Sequence, residues 1–383
     1  MTRAPADPVE DLLNRANLMF DVADRAVRSW RLGEWALLHR VRDDGSSHGP
    51  DIARFVPDRG SSLALDDTGF ATDIAATMLP LADPDMRENL VSTTARFPAM
   101  VAAENLVGAV QVHGAALKER RTSNVSIGTL CRSAIENAAK TVWLICETDR
   151  AVRRSRCLGY IARERSYQKG YIEIEERIYG LRADTSSPQY QLFDETKQKY
   201  EKRHELIEAL PLDTVKRPPR GFEKIVAEAA RWIEENPPPH FIESNGLQDG
   251  MTLGAQRFYA FGSSFVHGYK WMSDYVAGER DILAQISDGL AAAVIMTECA
   301  VALYEAQSTH PARIAGRRKN YPPWLEPTVE AWRPRYQQDV SAFAEPLART
   351  RTGAPAPERP REDCNSDRNL GPDGSNNAGD AHP

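Results

Sequence analysis

The stretch GLAAAVIMTECAVALY, Gly289 to Tyr304, constrains this chain more than any other segment. It is almost wholly apolar, and a helix that is apolar on all sides has to be covered by protein or by lipid. At this length, and with Glu298 inside it, the stretch is too short and too polar to span a bilayer, which needs about twenty apolar residues. It reads instead as the central helix of an all-α bundle.

The surrounding helices are visible as periodic segments. VEDLLNRANLMFDVADRAVRSWRLGEWALLHRV spaces Leu12, Leu18, Phe20, Val27, Trp30, Trp35 and Leu38 at helical intervals, without strand-like alternation. Residues 44 to 70 turn rich in glycine, serine and aspartate, the composition of a long connection or insert. Asp83-Pro84 has the form of an N-cap with proline at the first helical position, and predicts a helix to about Leu117, broken at Pro98. Asn124 and Asp149 are caps for the next two helices, the second reaching Tyr179. Ser187-Pro188 opens another towards Leu210, and GFEKIVAEAARWIEEN a shorter one before the prolines at 237 to 239. Helices over 252–275 and 281–307 close the core, and the segment after Pro322 adds one more. No strand, glycine-rich nucleotide loop or internal repeat is evident.

After Arg349 the only large aliphatic residue is Leu370, too little apolar surface to offset the entropy of ordering. The expected organisation is therefore an N-terminal helical extension (1–43), a linker or insert (44–82), a bundle core of about seven helices (83–347) and a disordered tail (348–383).

A net charge of −6 provides no global field to recruit nucleic acid or anionic lipid, so such binding needs a local patch. The strongest is RAVRRSRCLGYIARERSYQK, with Arg150, Arg153, Arg154, Arg156, Arg163, Arg165 and Lys169 against one acid, Glu164. Tyr160, Tyr167 and Tyr171 interleave with them, which suits phosphate contact with base stacking. A solvated helix face balanced by Glu173, Glu175 and Glu176 fits the same residues. The five cysteines are odd in number and form no C-x-x-C pair, which favours reduced thiols in a cytoplasmic protein. Cys131 and Cys146 sit in an apolar helix as packing groups. The start MTRAPADPVEDLL lacks the apolar core of a signal peptide. The eight histidines have no metal-ligand spacing with cysteine, and HExxH, GxSxG, Walker and GxGxxG patterns are missing. No metal, cofactor or membrane is expected, and a metal-dependent hydrolase is disfavoured.

Two helices carry the remaining chemistry. Arg132, Glu136 and Lys140 stand at i, i+4 and i+8 and share a face. That face is either a solvated stripe or, against another polar group, a site where Arg132 holds phosphate and Glu136 orients a partner. On the 252–275 helix, Ala260, Ser263, Ser264, His267 and Trp271 cluster on one side with Tyr259 nearby, while Phe258, Phe261 and Phe265 fill another. His267 is a hydrogen-bonded interior group or an acid/base, and Gly268 permits close approach of backbone or ligand.

CRSAIENAAKTVWL and YAFGSSFVHG together resemble helical bacterial families distantly related to the HEPN superfamily. Those families read R-S-x-x-E in one helix and Y-x-x-x-S-x-x-x-H-G in a later one, matched here by Arg132, Ser133 and Glu136, then Tyr259, Ser263, His267 and Gly268. The resemblance covers roughly residues 95 to 307. It implies a helical bundle, often dimeric, and RNA-directed activity, commonly a metal-independent ribonuclease in phage defence or stress. On that reading His267 is the acid/base, Arg132 stabilises phosphate charge, and Glu136 orients one of them, with Tyr259 and Ser263 beside them. RNA, through Arg153, Arg154, Arg156, Arg163, Arg165 and Lys169, and a second copy of the chain are the implied partners. HEPN ribonucleases also carry an arginine shortly before the histidine, whereas positions 260 to 262 here are Ala, Phe and Gly. The alternative is a non-catalytic interaction or regulatory bundle whose polar residues form a structural network.

Overall fold

Every residue from Gly289 to Ser308 is buried, so the apolar stretch lies at the centre of the molecule. The computed structural model describes residues 8–37, 40–41, 47–48, 52–69, 90–121, 124–182, 185–208, 216–241, 247, 250–276, 278–310, 312 and 319–337. In chain order its helices are α1 (Pro8–Arg31), α2 (62–69), α3 (Leu90–Lys118), α4 (Asn124–Ile145), α5 (Arg150–Arg182), α6 (Pro188–Glu208), α7 (Phe222–Glu235), α8 (Gly250–His267), α9 (Glu279–Ser308) and α10 (Glu326–Trp332). The fold is all-α. A two-residue antiparallel bridge, β1 (Arg40–Val41) with β2 (Ser47–His48), is the one departure among the described residues.

α9 packs against α4, α1, α3 and α8, while α3 and α4 form the most extensive helix pair. The helix is longer than its apolar stretch and by length and composition could cross a membrane, but its most apolar window is 94% buried inside the protein. Pro98 does not break α3. Proline removes one amide donor from that turn, and Thr141 of α4 donates its hydroxyl to the nearby Ala95 carbonyl at 2.8 Å. Asp149 and Ser187 act as the caps expected, accepting from the amides of Ala151 at 2.8 Å and Tyr190 at 3.2 Å. Asn124 differs: its side-chain amide donates to Gln285 on α9 at 2.8 Å. The expected 252–275 helix also ends early. Gly268 takes φ +65° after His267, and a separate 3-10 turn follows over Lys270–Tyr275.

Where an extension and a linker were expected, the described residues of both N-terminal segments include core positions. Trp35 and Leu32 are fully buried, and Trp35 packs on Phe55 (4.5 Å between ring centroids) and on Tyr304 of α9 (5.4 Å). The Tyr304 hydroxyl donates to the Phe55 carbonyl at 2.9 Å. The cap expected at Asp83-Pro84, the terminal disorder expected over 348–383, and Cys364 lie outside the described residues.

α2 carries Asp66 and Asp67, both buried. Asp67 Oδ1 accepts the amides of Val91 (2.7 Å) and Ser92 (3.0 Å), closing the start of α3. Burial nevertheless raises its carboxyl from the ordinary 3.8 to about 6. The folded state thus holds this proton more tightly than the unfolded chain. Its contribution to stability is complete below pH 3.8 and lost as pH rises through about 6. Asp67→Asn keeps the accepting oxygen and removes the charge. Relative to wild type it should gain up to about 3 kcal/mol at pH 7.5, a gap that closes towards pH 4. Urea melts across that range check it, and a pH-independent gap overturns it.

Candidate functional site

Glycine brings the two motif helices together. A Cβ on Gly262 would lie 2.6 Å from the Cβ of Arg132, and one on Gly128 would meet the Phe265 ring at 2.4 Å. Only with hydrogen at both positions do α4 and α8 approach this closely. The contact puts Arg132 level with Tyr259 and Ser263.

Arg132 donates from Nε to Ser263 Oγ at 3.0 Å and from Nη2 to the Tyr259 hydroxyl at 3.0 Å. The same Nη2 lies 3.1 Å from Glu136 Oε2, and Lys140 Nζ lies 2.9 Å from Glu136 Oε1. The Tyr259 hydroxyl in turn donates to Glu136 Oε2 at 3.3 Å, completing a closed ring of donors and acceptors. Burial first, then the Glu136 charge, raises the Tyr259 pKa, so its hydroxyl stays protonated and serves as a donor. Beyond Lys140 the network continues through cation–π contacts. The Phe222 ring contacts both the Lys140 ammonium (4.4 Å) and the Arg163 guanidinium (4.5 Å).

The Arg132–Glu136–Lys140 stripe is therefore not a solvated face, since Glu136 and Lys140 are buried. The other side of α4 is packed, with Ile127, Ala134, Ala138 and Ile145 at or near zero exposure. His267 stands apart. It is the last residue of α8, exposed, with its ring against Tyr269 at 5.5 Å and no hydrogen bond to the cluster among the described residues. Neither an interior hydrogen-bonded histidine nor one in direct contact with Arg132 describes it. Four of the five proposed catalytic residues converge, and the histidine does not.

The basic run on α5 is corrected more sharply. Arg153, Arg156 and Arg165 are buried. Arg153 grips Asp66, while Arg156 donates to Glu147 at 2.6 Å and to the Trp143 carbonyl at 2.6 Å. Arg165 donates to the Tyr200 carbonyl at 3.2 Å, and burial lowers its pKa to about 10. Arg163 is half-buried on the Pro219 carbonyl, and Arg154 is half-buried beside Gly69. Lys169 alone of the six is exposed, 3.9 Å from Glu173. A phosphate backbone cannot reach charges already held inside the protein.

No family model, curated protein or solved structure matches the chain. The likeness to HEPN families rests on the two motifs alone.

Among the described residues the thiols offer no nucleophile in their place. Cys131, Cys146, Cys157 and Cys299 are buried and in no disulfide, and burial raises the first two to about 12 and about 11. Sequence reasoning missed Asp66, Phe222 and the aromatic group around Trp271. Asp66 had a signal, an acid pair closing the apolar run SSLAL. Phe222 depends on contacts with helices far away in the chain, and the aromatic group on the turn at Gly268 that brings Trp271 back to Phe261.

Proposed function

We propose that this chain is a non-catalytic, cytoplasmic helical protein of the interaction or regulatory kind. In this reading Arg132, Glu136, Lys140, Tyr259 and Ser263 form a structural network that fixes α8 on α4. The observation that carries it is the engagement of Arg132: Nε and Nη2 are committed to Ser263, Tyr259 and Glu136, and His267 is outside the ring. A phosphate at Nε or Nη2 would have to displace these internal partners, and the histidine expected to take a proton is not beside it.

The test incubates purified wild type, Arg132→Ala and His267→Ala with total RNA in the absence of metal. No variant should cleave. Arg132→Ala should lose about 1–3 kcal/mol in urea melts, because Glu136 and Tyr259 lose their shared donor. Cleavage by wild type that disappears in His267→Ala overturns this reading.

One observation favours a second reading, an RNA-directed protein acting in phage defence or stress. Tyr167 and Tyr171 are 65% and 60% exposed on α5, close to Lys169, and rings so placed can stack on bases. Filter binding of the same RNA to wild type and to Tyr167→Ala/Tyr171→Ala tests it: binding by wild type that the double substitution weakens at least tenfold supports it, and no binding ends it.

A further inference from the structure

Helix α1 is apolar on two opposite sides, and the bundle covers one of them. On the inner side Val22 and Ser29 are buried, and Arg15, Arg25 and Arg28 reach Glu279, Ser287 and Glu298 of α9. With 3.6 residues per turn, the outer side carries Leu13, Ala16, Phe20, Ala23, Val27 and Trp30. Their spacing alternates between three and four residues from Leu13 to Trp30, the pattern of a coiled-coil seam. None of them is buried, and the large ones are 54% to 73% exposed. Leu12 and Met19, each more than half exposed, widen the seam along one edge.

The face is large enough to hold a partner. An aromatic side chain carries about 150–250 Å² and an aliphatic one roughly 100 Å². At these exposures one copy presents on the order of 600 Å² of apolar surface, the upper end of what monomers leave open. Two such faces laid together bury about 1,200 Å², enough for a specific interface.

Side-chain size decides the partner and its direction. A parallel pair sets Phe20 on the partner's Phe20 and Ala23 on the partner's Ala23, crowding one layer and leaving a gap in the next. An antiparallel pair centred between Phe20 and Ala23 sets Phe20 on the partner's Ala23, Val27 on the partner's Ala16 and Leu13 on the partner's Trp30. Large then meets small in every central layer, as a packed core needs. The arrangement is two-fold symmetric, so one patch serves both copies. At the seam's edge it brings Asn17 to the partner's Asp24, an amide donor to a carboxylate, where a parallel pair puts Met19 against that charge. Lipid is the poorer occupant. α1 has no lysine, Arg15, Arg25 and Arg28 turn to α9, and Asp24 and Arg31 flank the seam with opposite signs, so these flanks hold no positive excess to draw an anionic surface.

We propose that the outer face of α1 docks a second copy of this chain, the two helices lying antiparallel about a two-fold axis between Phe20 and Ala23. The inference goes beyond the proposed function by naming a partner. It uses neither α4 nor α8, so the ribonuclease test and this one fail separately.

Sedimentation velocity of the full chain over a dilution series should show a reversible dimer. Phe20→Lys should weaken it at least about tenfold. Phe20 is the most exposed of the large seam residues, so the variant should keep its helical circular-dichroism spectrum, which guards against misfolding. Ala23→Glu should weaken the dimer as well. An equimolar mixture of the two variants should regain it, because the antiparallel seam sets the new lysine against the new glutamate. Wild type that stays monomeric at about 100 μM, a dimer that a folded Phe20→Lys leaves intact, or a mixture no tighter than either variant overturns the proposal. Monomeric wild type that sediments with phosphatidylcholine–phosphatidylglycerol vesicles, and loses them in Phe20→Lys, overturns it in favour of lipid.

Discussion

Replacing Arg153 by alanine should cost about 3–5 kcal/mol of stability, the scale for removing one partner of a buried ion pair. Arg153 and Asp66 are both fully buried. The guanidinium grips the carboxylate through two nitrogens, Nε at 2.7 Å and Nη2 at 2.9 Å, and also donates to Ser62 and to the carbonyls of Glu147 and Thr148. Alanine strands an anion and two carbonyls in the interior, with Arg150 at 2.9 Å as the remaining counter-charge. Arg153→Lys keeps the charge but not the planar fork, so an intermediate loss is expected. Arg153→Met with Asp66→Asn removes both charges and should recover part of it. Urea melts read the stability, and filter binding reads the RNA role expected from the sequence. An Arg153→Ala protein of wild-type stability and impaired RNA binding would show that this side chain faces a ligand.

That contrast shows where sequence reasoning stopped. Helix identity was legible, because it is written in short-range spacing and in local caps such as Asp149 and Ser187. The central position of the α9 stretch followed from the same kind of argument. Which face of a helix turns inward is another matter. α1 and the 3-10 turn Leu32–Trp35 after it have apolar residues on two sides, yet Phe20 is 73% exposed and Trp30 59%, whereas Val22, Leu32 and Trp35 are buried. The choice is fixed by partners such as Glu298, 270 positions from Arg28, which no local pattern encodes. The α5 arginines failed for the same reason, since a basic run looks identical whether its counter-charges are solvent ions or a distant Asp66. Within the candidate site, i, i+4 spacing correctly grouped Arg132 with Glu136 and Tyr259 with Ser263. It could not foresee that Gly268 ends α8 and leaves His267 outside.

Glu298, the acid that interrupts the apolar stretch, supplies the second large effect. It is fully buried on α9. Its carboxylate receives Arg28 from α1 through Nε at 3.0 Å and through Nη2, and the Trp324 indole at 2.8 Å. His240 Nε2 lies 3.3 Å away. One side chain thus ties α1, the segment before α10 and residue 240 to the central helix. Glu298→Gln preserves the shape but turns an N–H donor towards groups that are themselves donors. The expected loss is about 3–5 kcal/mol at neutral pH. Amides of α1 should exchange first, because Arg28 ties that helix to the buried carboxylate. Burial pushes the Glu298 carboxyl up, but hydrogen bonds from His240 and Arg28 outweigh it and hold the pKa below the ordinary 4.5. A depressed carboxyl stabilises the fold fully above its unfolded value and loses that contribution as pH falls through the folded one. The gap between wild type and Glu298→Gln should therefore be constant from pH 7 to about 5 and shrink in more acid solution. A loss below about 1 kcal/mol, the scale of an exposed pair, would mean that Arg28 and Trp324 do not depend on this carboxylate.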